Sequence, residues 1–217
     1  FDQFTGMFTL TFALVYLVLA YLTADKEQKA IFYTYLTLCV TYLTITIPIQ
    51  FKNQWVSISW AVEGFLLLLI SYKLDRPGLR VLAYFVSAMT FMKVVFADSF
   101  MLDEWRLFVY LLTIILFYAS AYLISHNRKG FADALMSALF SIAATVTTLV
   151  MLAVEILDTE MPGKFQQMWL SVSWTLFSLV ILIFGFVKKS KLFRVMGLLL
   201  FCVTLIKVVF FDTTYLE

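Results

Sequence analysis

WVSISWAVEGFLLLLISYKLDRPGLRVLAYFVSAMTFMKVVFAD, residues 55–98, returns 114 positions later as WLSVSWTLFSLVILIFGFVKKSKLFRVMGLLLFCVTLIKVVFFD, residues 169–212. The two stretches align without a gap and share 13 of 44 positions. Matches of Leu and Val carry little weight in so apolar a chain. Trp55, Trp60, Arg80, Lys93 and Asp98, however, recur in register as Trp169, Trp174, Arg194, Lys207 and Asp212, and those residue types are scarce here. Self-similarity at a fixed offset is the mark of an internal duplication. Each copy is an apolar run, a short basic connection and a second apolar run closing on a lone Lys and an Asp, which predicts a hairpin of two membrane-spanning helices.

Composition agrees. The 217 residues are 63% hydrophobic and 14% charged, with a mean hydropathy of +0.94, whereas soluble domains carry about 25% charged residues. The chain reads as an integral membrane protein. A net charge of +2 does not imply nucleic acid, because the basic residues sit between apolar runs and form no basic face. Cys39 and Cys202 both lie inside apolar runs, where a thiol is a small packing residue, so neither a disulfide nor a metal framework is expected.

Apolar runs long enough to cross a bilayer fall at about 7–24, 30–49, 55–73, 79–97, 105–125, 132–156, 166–187 and 192–211. None alternates as a barrel strand would. Lipid leaves backbone groups no partners of its own, so each run is expected to be a helix. The duplication extends backwards: Pro48 and Phe51 match Pro162 and Phe165 at the same offset, and Ala20-Tyr21-Leu22 matches Ala121-Tyr122-Leu123 at an offset of 101. The change of offset places extra residues near the sixth helix. The expected fold is therefore an all-α membrane protein of eight transmembrane helices, arranged as two four-helix repeats, residues 1–104 and 105–217. An even number of spans per repeat makes the copies parallel, related by an axis along the membrane normal.

The loops set the orientation. Lys26, Lys29, Lys73, Arg76, Arg80, Arg128, Lys129, Lys188, Lys189, Lys191 and Arg194 fall on one side, against Lys52, Arg106 and Lys164 on the other. The positive-inside rule puts both termini on the non-cytoplasmic side of the membrane. The first residues, Phe1-Asp2-Gln3, carry no Met and no signal peptide, which points to a piece of a longer chain with earlier spans. The expected partners are the lipid bilayer, those further segments and other membrane subunits.

The residues Trp55-Val-Ser-Ile-Ser-Trp60-Ala-Val-Glu63-Gly64, Leu79-Arg80 and Lys93-Val-Val-Phe-Ala-Asp98 resemble the domain of unknown function 2339 family of large bacterial multi-pass membrane proteins. Phe193-Arg194 and Lys207-Val-Val-Phe-Phe-Asp212 are similar. The resemblance covers residues 45–98 and 160–215 and implies membership of a longer chain, but no activity. In the second copy Phe177 and Ser178 stand where the first has Glu63 and Gly64.

Charges inside the bilayer are the candidate chemistry. Glu63 lies eight residues, about 12 Å, inward from Trp55, and Lys93 five residues, about 7.5 Å, inward from Asp98. Their depths suit an ion pair, and a charge left alone at mid-membrane costs about 2.5 to 3.5 kcal/mol. Asp98, five residues on, lies about 140° round the helix from Lys93 and so is a poor intrahelical partner for it. Lys207 has no counterpart of Glu63 and is expected either to line the site or to snorkel outward. Trp60 and Trp174 lie deeper than an interfacial belt requires, as packing residues or the wall of a cavity. Thr90 shares a polar face with Lys93. Thr34, Thr37, Thr41 and Thr44 stripe the second span, and Ser137, Ser141, Thr145 and Thr148 the sixth. Such stripes mark close helix packing or a polar path.

The only histidine, His126, sits in a basic connection, leaving a metal cluster or a His-based relay without members. Asp103, Glu104, Asp158 and Glu160 are the acidic loops that the positive-inside rule leaves behind. No catalytic residue, cofactor or metal is expected. Two functions remain: a transport or translocation module with a polar site in the outer half of the bilayer, built on Glu63, Lys93, Thr90, Trp60 and Lys207, or a structural or assembly subunit of an envelope complex.

Overall fold

The structure, a computed structural model, describes residues 2–23, 29–50, 54–100, 105–128 and 130–212. The side chain of Asp212 lies outside the described residues, as do Asp103 and Glu104. The described residues form eight helices: α1 (Asp2–Thr23), α2 (Lys29–Gln50), α3 (Gln54–Lys73), α4 (Pro77–Phe96), α5 (Arg106–His126), α6 (Phe131–Leu157), α7 (Gly163–Val187) and α8 (Lys191–Lys207). A 3-10 turn, Asp98–Phe100, follows α4, and a π turn, Val208–Asp212, extends α8. No strand occurs among the described residues. Among the described residues six helical stretches, from Trp55–Lys73 to Lys191–Phe210, are long and apolar enough to cross a membrane, and α1 and α2 contain the shorter apolar stretches Met7–Thr23 and Thr34–Ile47. This is an all-helical membrane protein, and the large side chains exposed along its helices, such as Phe85, Leu176 and Val180, are the surface that lipid covers.

Two compact units divide the chain, residues 1–123 and 124–217. The division falls inside α5, because most of that helix packs with the first unit. Trp105 meets Trp55 at 6.1 Å and Phe117 meets Phe91 at 6.4 Å between ring centroids, and the Tyr110 and Ser99 hydroxyls are 2.7 Å apart. Within the first unit, α1 lies against α2 along a ladder of rings. Phe12 and Tyr16 stack on Tyr42 at 5.6 and 5.5 Å, and Tyr35 follows at 6.3 Å from Tyr16. Ala13 and Ala20, both buried, let the two backbones approach.

Helices α3 and α4 pack through Leu68, Ala83 and Gly64. A Cβ on Gly64 would lie 2.7 Å from Ser87 Oγ, a side-chain atom that can turn aside, with the α4 backbone no nearer than 3.5 Å. In the second unit glycine sets how closely α7 meets α8: a Cβ on Gly197 would lie 2.9 Å from the Leu182 backbone nitrogen. The connections of the two hairpins are alike bond for bond. Asp75 and Lys189 take left-handed φ values of 50° and 51°. Arg76 N–H donates to the Ser71 carbonyl at 2.9 Å, and Ser190 N–H to the Gly185 carbonyl at 3.0 Å. This is the Schellman closure that ends a helix on a left-handed residue. Arg80 then lies over the Tyr72 ring at 4.2 Å and Arg194 over the Phe186 ring at 5.7 Å.

Candidate functional site

The first unit carries two separate polar clusters, and the sequence-predicted residues are shared between them. The first is built on Thr44 of α2. Proline at position 48 has no N–H, so the Thr44 carbonyl lacks the helical donor four residues on. Trp60 of α3 fills that place, its indole Nε1–H donating to the Thr44 carbonyl at 3.2 Å. One turn further along α3, Glu63 is 8% exposed, and its carboxyl Oε1 accepts from the Thr44 hydroxyl at 2.6 Å. The other oxygen, Oε2, is buried without a hydrogen-bond partner among the described residues. The Thr44 hydroxyl also reaches its own helix, at 2.9 Å from the Val40 carbonyl. One hydrogen thus serves two acceptors.

The second cluster ties the far end of α4 to the start of α3. Lys93 Nζ donates to Asp98 Oδ1 at 2.6 Å and to Ser57 Oγ at 2.8 Å, and Ser57 in turn donates to Asp98 Oδ2 at 2.5 Å. Ser57 and Asp98 are buried, and the Lys93 side chain keeps 19% of its surface. The expected pairing of Lys93 with Glu63 is therefore corrected. On a helix continuous to residue 98, Asp98 would face away from Lys93. Instead the last helical bond runs from Ala97 N–H to the Lys93 carbonyl at 2.8 Å, and the 3-10 turn beginning at Asp98 folds the carboxylate back over the ammonium. A lysine beside a serine is also the arrangement of some hydrolytic dyads. Here Lys93 and the fully buried Ser57 hydroxyl are both engaged by the Asp98 carboxylate.

In the second unit Lys207 Nζ donates to Ser171 Oγ at 2.7 Å and to the Gln167 carbonyl at 3.2 Å. Ser171 stands 114 residues after Ser57, so the lysine–serine bond of the first hairpin recurs in the second. Lys207 is held by α7 instead of reaching outward. Trp174 Nε1 is buried without a hydrogen-bond partner among the described residues. The residue 114 positions after Thr44 is Asp158, beyond the end of α6 at Leu157, so no helical carbonyl waits there for the indole. Thr90, fully buried, turns its hydroxyl to the Val86 carbonyl at 2.9 Å and joins neither cluster. The expected polar stripes behave similarly. Thr41, Ser141, Thr145 and Thr148 each donate to the carbonyl four residues back on their own helix, the usual recourse of a hydroxyl in lipid.

The family model described as "Predicted membrane protein (DUF2339)" matches residues 4–158 and, in an overlapping second match, residues 78–217. The chain belongs to the DUF2339 family. The resemblance drawn from the Trp55–Asp98 motif is thereby established, and with it a multi-helix membrane protein. No curated protein and no solved structure shows detectable similarity to the chain. Set against this DUF2339 chain's geometry, sequence reasoning found Glu63, Lys93, Trp60 and Lys207 but not Ser57, Ser171 or Thr44 as their partners. The signal for the serines was present, since Ser57 and Ser171 recur at the fixed offset together with the lysines.

Proposed function

We propose that this DUF2339 chain is a transport or translocation module of a bacterial inner membrane, with its polar centre at Glu63 between α2 and α3. The observation that carries the reading is the Glu63 carboxyl, buried within a helix long enough to span the bilayer, with one oxygen engaged by Thr44 and the other free. An intramembrane acid without a paired cation is expensive, and a scaffold has no evident use for it. Trp60 walls the site and ties it to α2. Lys93 and Lys207 lie outside it as hairpin fasteners. In this reading the chain has eight spans in two parallel repeats, residues 1–104 and 105–217, with both termini outside the cytoplasm. The repeat is supported by the matching turns at Asp75 and Lys189, by the recurring Ser–Lys bond and by the overlapping matches to one family model. The orientation rests on the distribution of basic residues between loops.

The test is access. With Cys39 and Cys202 replaced by alanine, a cysteine at position 63 reacts with a small, charged, membrane-impermeant thiosulfonate from the side on which a cysteine at 158 is also labelled. If position 63 stays unreactive while 158 reacts, the site is dry and the transport reading falls. The structural or assembly reading then takes its place, favoured by the Ser–Lys fasteners in both hairpins.

A further inference from the structure

The α7–α8 connection repeats the backbone of the α3–α4 connection with the opposite charge at its apex. At the left-handed position the first turn has Asp75 and the second Lys189. Asp75 shares its turn with Lys73, Arg76 and Arg80, and lies 3.9 Å from the Arg80 guanidinium. The second turn has Lys188, Lys189, Lys191 and Arg194, and no acidic residue occurs anywhere from 161 to 211. Lys188, Lys189 and Lys191 are exposed, and no carboxylate among the described residues of their own hairpin can pair with them. Asp is among the few side chains that tolerate a positive φ, whereas Lys gains nothing there, so the apical cation stands against backbone preference.

Position gives this charge a use. The turn joins two helices long enough to cross a membrane, so it emerges at the level of the lipid headgroups. Directly beneath it the exposed side chains of Phe186, Val187 and Val195 form an apolar collar suited to acyl chains. Arg194 is set back against Phe186, its Nε donating to the Ser190 carbonyl at 3.4 Å. An exposed ring of cations over an apolar collar complements one molecule in particular, a lipid with an anionic phosphate headgroup.

We propose that the α7–α8 turn is a binding surface for the phosphate headgroup of an anionic phospholipid, and that the α3–α4 turn, with Asp75 in the same backbone position, is not. The proposal is independent of the reading of Glu63. Each cation at such a surface strengthens binding about five-fold, so removing three weakens it about a hundred-fold.

The experiment follows thermal unfolding of the full chain in a neutral detergent while phosphatidylglycerol, phosphatidylcholine or glycerol 3-phosphate is added. Phosphatidylglycerol raises the midpoint of the wild-type protein, and the other two leave it unchanged. In Lys188→Gln/Lys189→Gln/Lys191→Gln the concentration giving half the shift rises about a hundred-fold, while Lys73→Gln/Arg76→Gln behaves as wild type. Lys189→Asp, which installs the side chain that the first hairpin already carries on this backbone, keeps the fold and also weakens the response. A full shift in the triple variant and in Lys189→Asp overturns the proposal. So does an equal shift with phosphatidylcholine, a shift with glycerol 3-phosphate alone, or an equal loss in the α3–α4 turn variant.

Discussion

Removing either member of the Lys93–Asp98 pair tests whether the α3–α4 hairpin is fastened electrostatically. Two unit charges 2.6 Å apart attract by about 6 kcal/mol at an effective dielectric of 20 and about 1.6 kcal/mol in bulk water. Asp98 keeps 4% of its side-chain surface and Lys93 keeps 19%, so the pair belongs between these limits, and desolvation of both ions takes back much of the attraction. Breaking a fully buried pair costs about 3 to 5 kcal/mol, and the partial exposure of Lys93 brings the expectation for Asp98→Asn or Lys93→Met down to about 2 to 3 kcal/mol. Because each single change strands the other charge, the double variant should lose much less than the sum, with a coupling of about 2 kcal/mol. Reversible unfolding of the purified protein in mixed micelles with rising dodecyl sulfate measures all four corners of the cycle. Additivity within about 0.5 kcal/mol would refute the reasoning and reduce the contact to coincident placement.

Glu63→Gln should change stability by less than about 1 kcal/mol in the same assay, because the amide keeps an acceptor for Thr44 and strands no cation; a loss as large as that of Asp98→Asn would expose a further partner for Glu63. Gly197→Ala should cost about 1 to 3 kcal/mol by overpacking, since its Cβ would meet the backbone of Leu182. Gly64→Ala should cost less, because Ser87 Oγ can rotate away; equal losses in thermal unfolding would contradict this. A cysteine in place of Asp158 should be labelled from outside intact cells and one in place of Lys189 should not; the reverse pattern inverts the proposed orientation.

The helices were legible because a bilayer leaves an apolar run little choice of secondary structure. The run expected at 79–97 became α4 at Pro77–Phe96, and that at 132–156 became α6 at Phe131–Leu157. The candidate site was legible as a set of residues but not as a set of bonds. Depth along a helix can be counted from the sequence, so Glu63 and Lys93 were placed at similar levels. Which way each side chain turns depends on helix rotation, which counting does not give. Glu63 turned to α2 and Lys93 to the chain end beyond its own helix. The latter depended on the change from α to 3-10 winding after Ala97, which undoes the angle that a helical wheel assigns. Thr44 was visible as the last member of a polar stripe, but the freeing of its carbonyl for Trp60 depends on the missing N–H of the proline at 48, whose effect falls four residues away from it.

That missing N–H has a mechanical meaning. Up to Thr44, α2 is held by its own ladder of bonds; at Thr44 one rung is gone, and the carbonyl it leaves is gripped by the indole of Trp60 on another helix. The end of α2 is thus anchored to α3 at Thr44 through two handles, a carbonyl held by Trp60 and a hydroxyl shared between Glu63 and Val40. Anything that draws the Glu63 carboxyl away returns the hydroxyl wholly to Val40, and hydroxyl bonds of that kind tend to bend a helix. A change at one acid is thereby converted into leverage on the last turn of α2.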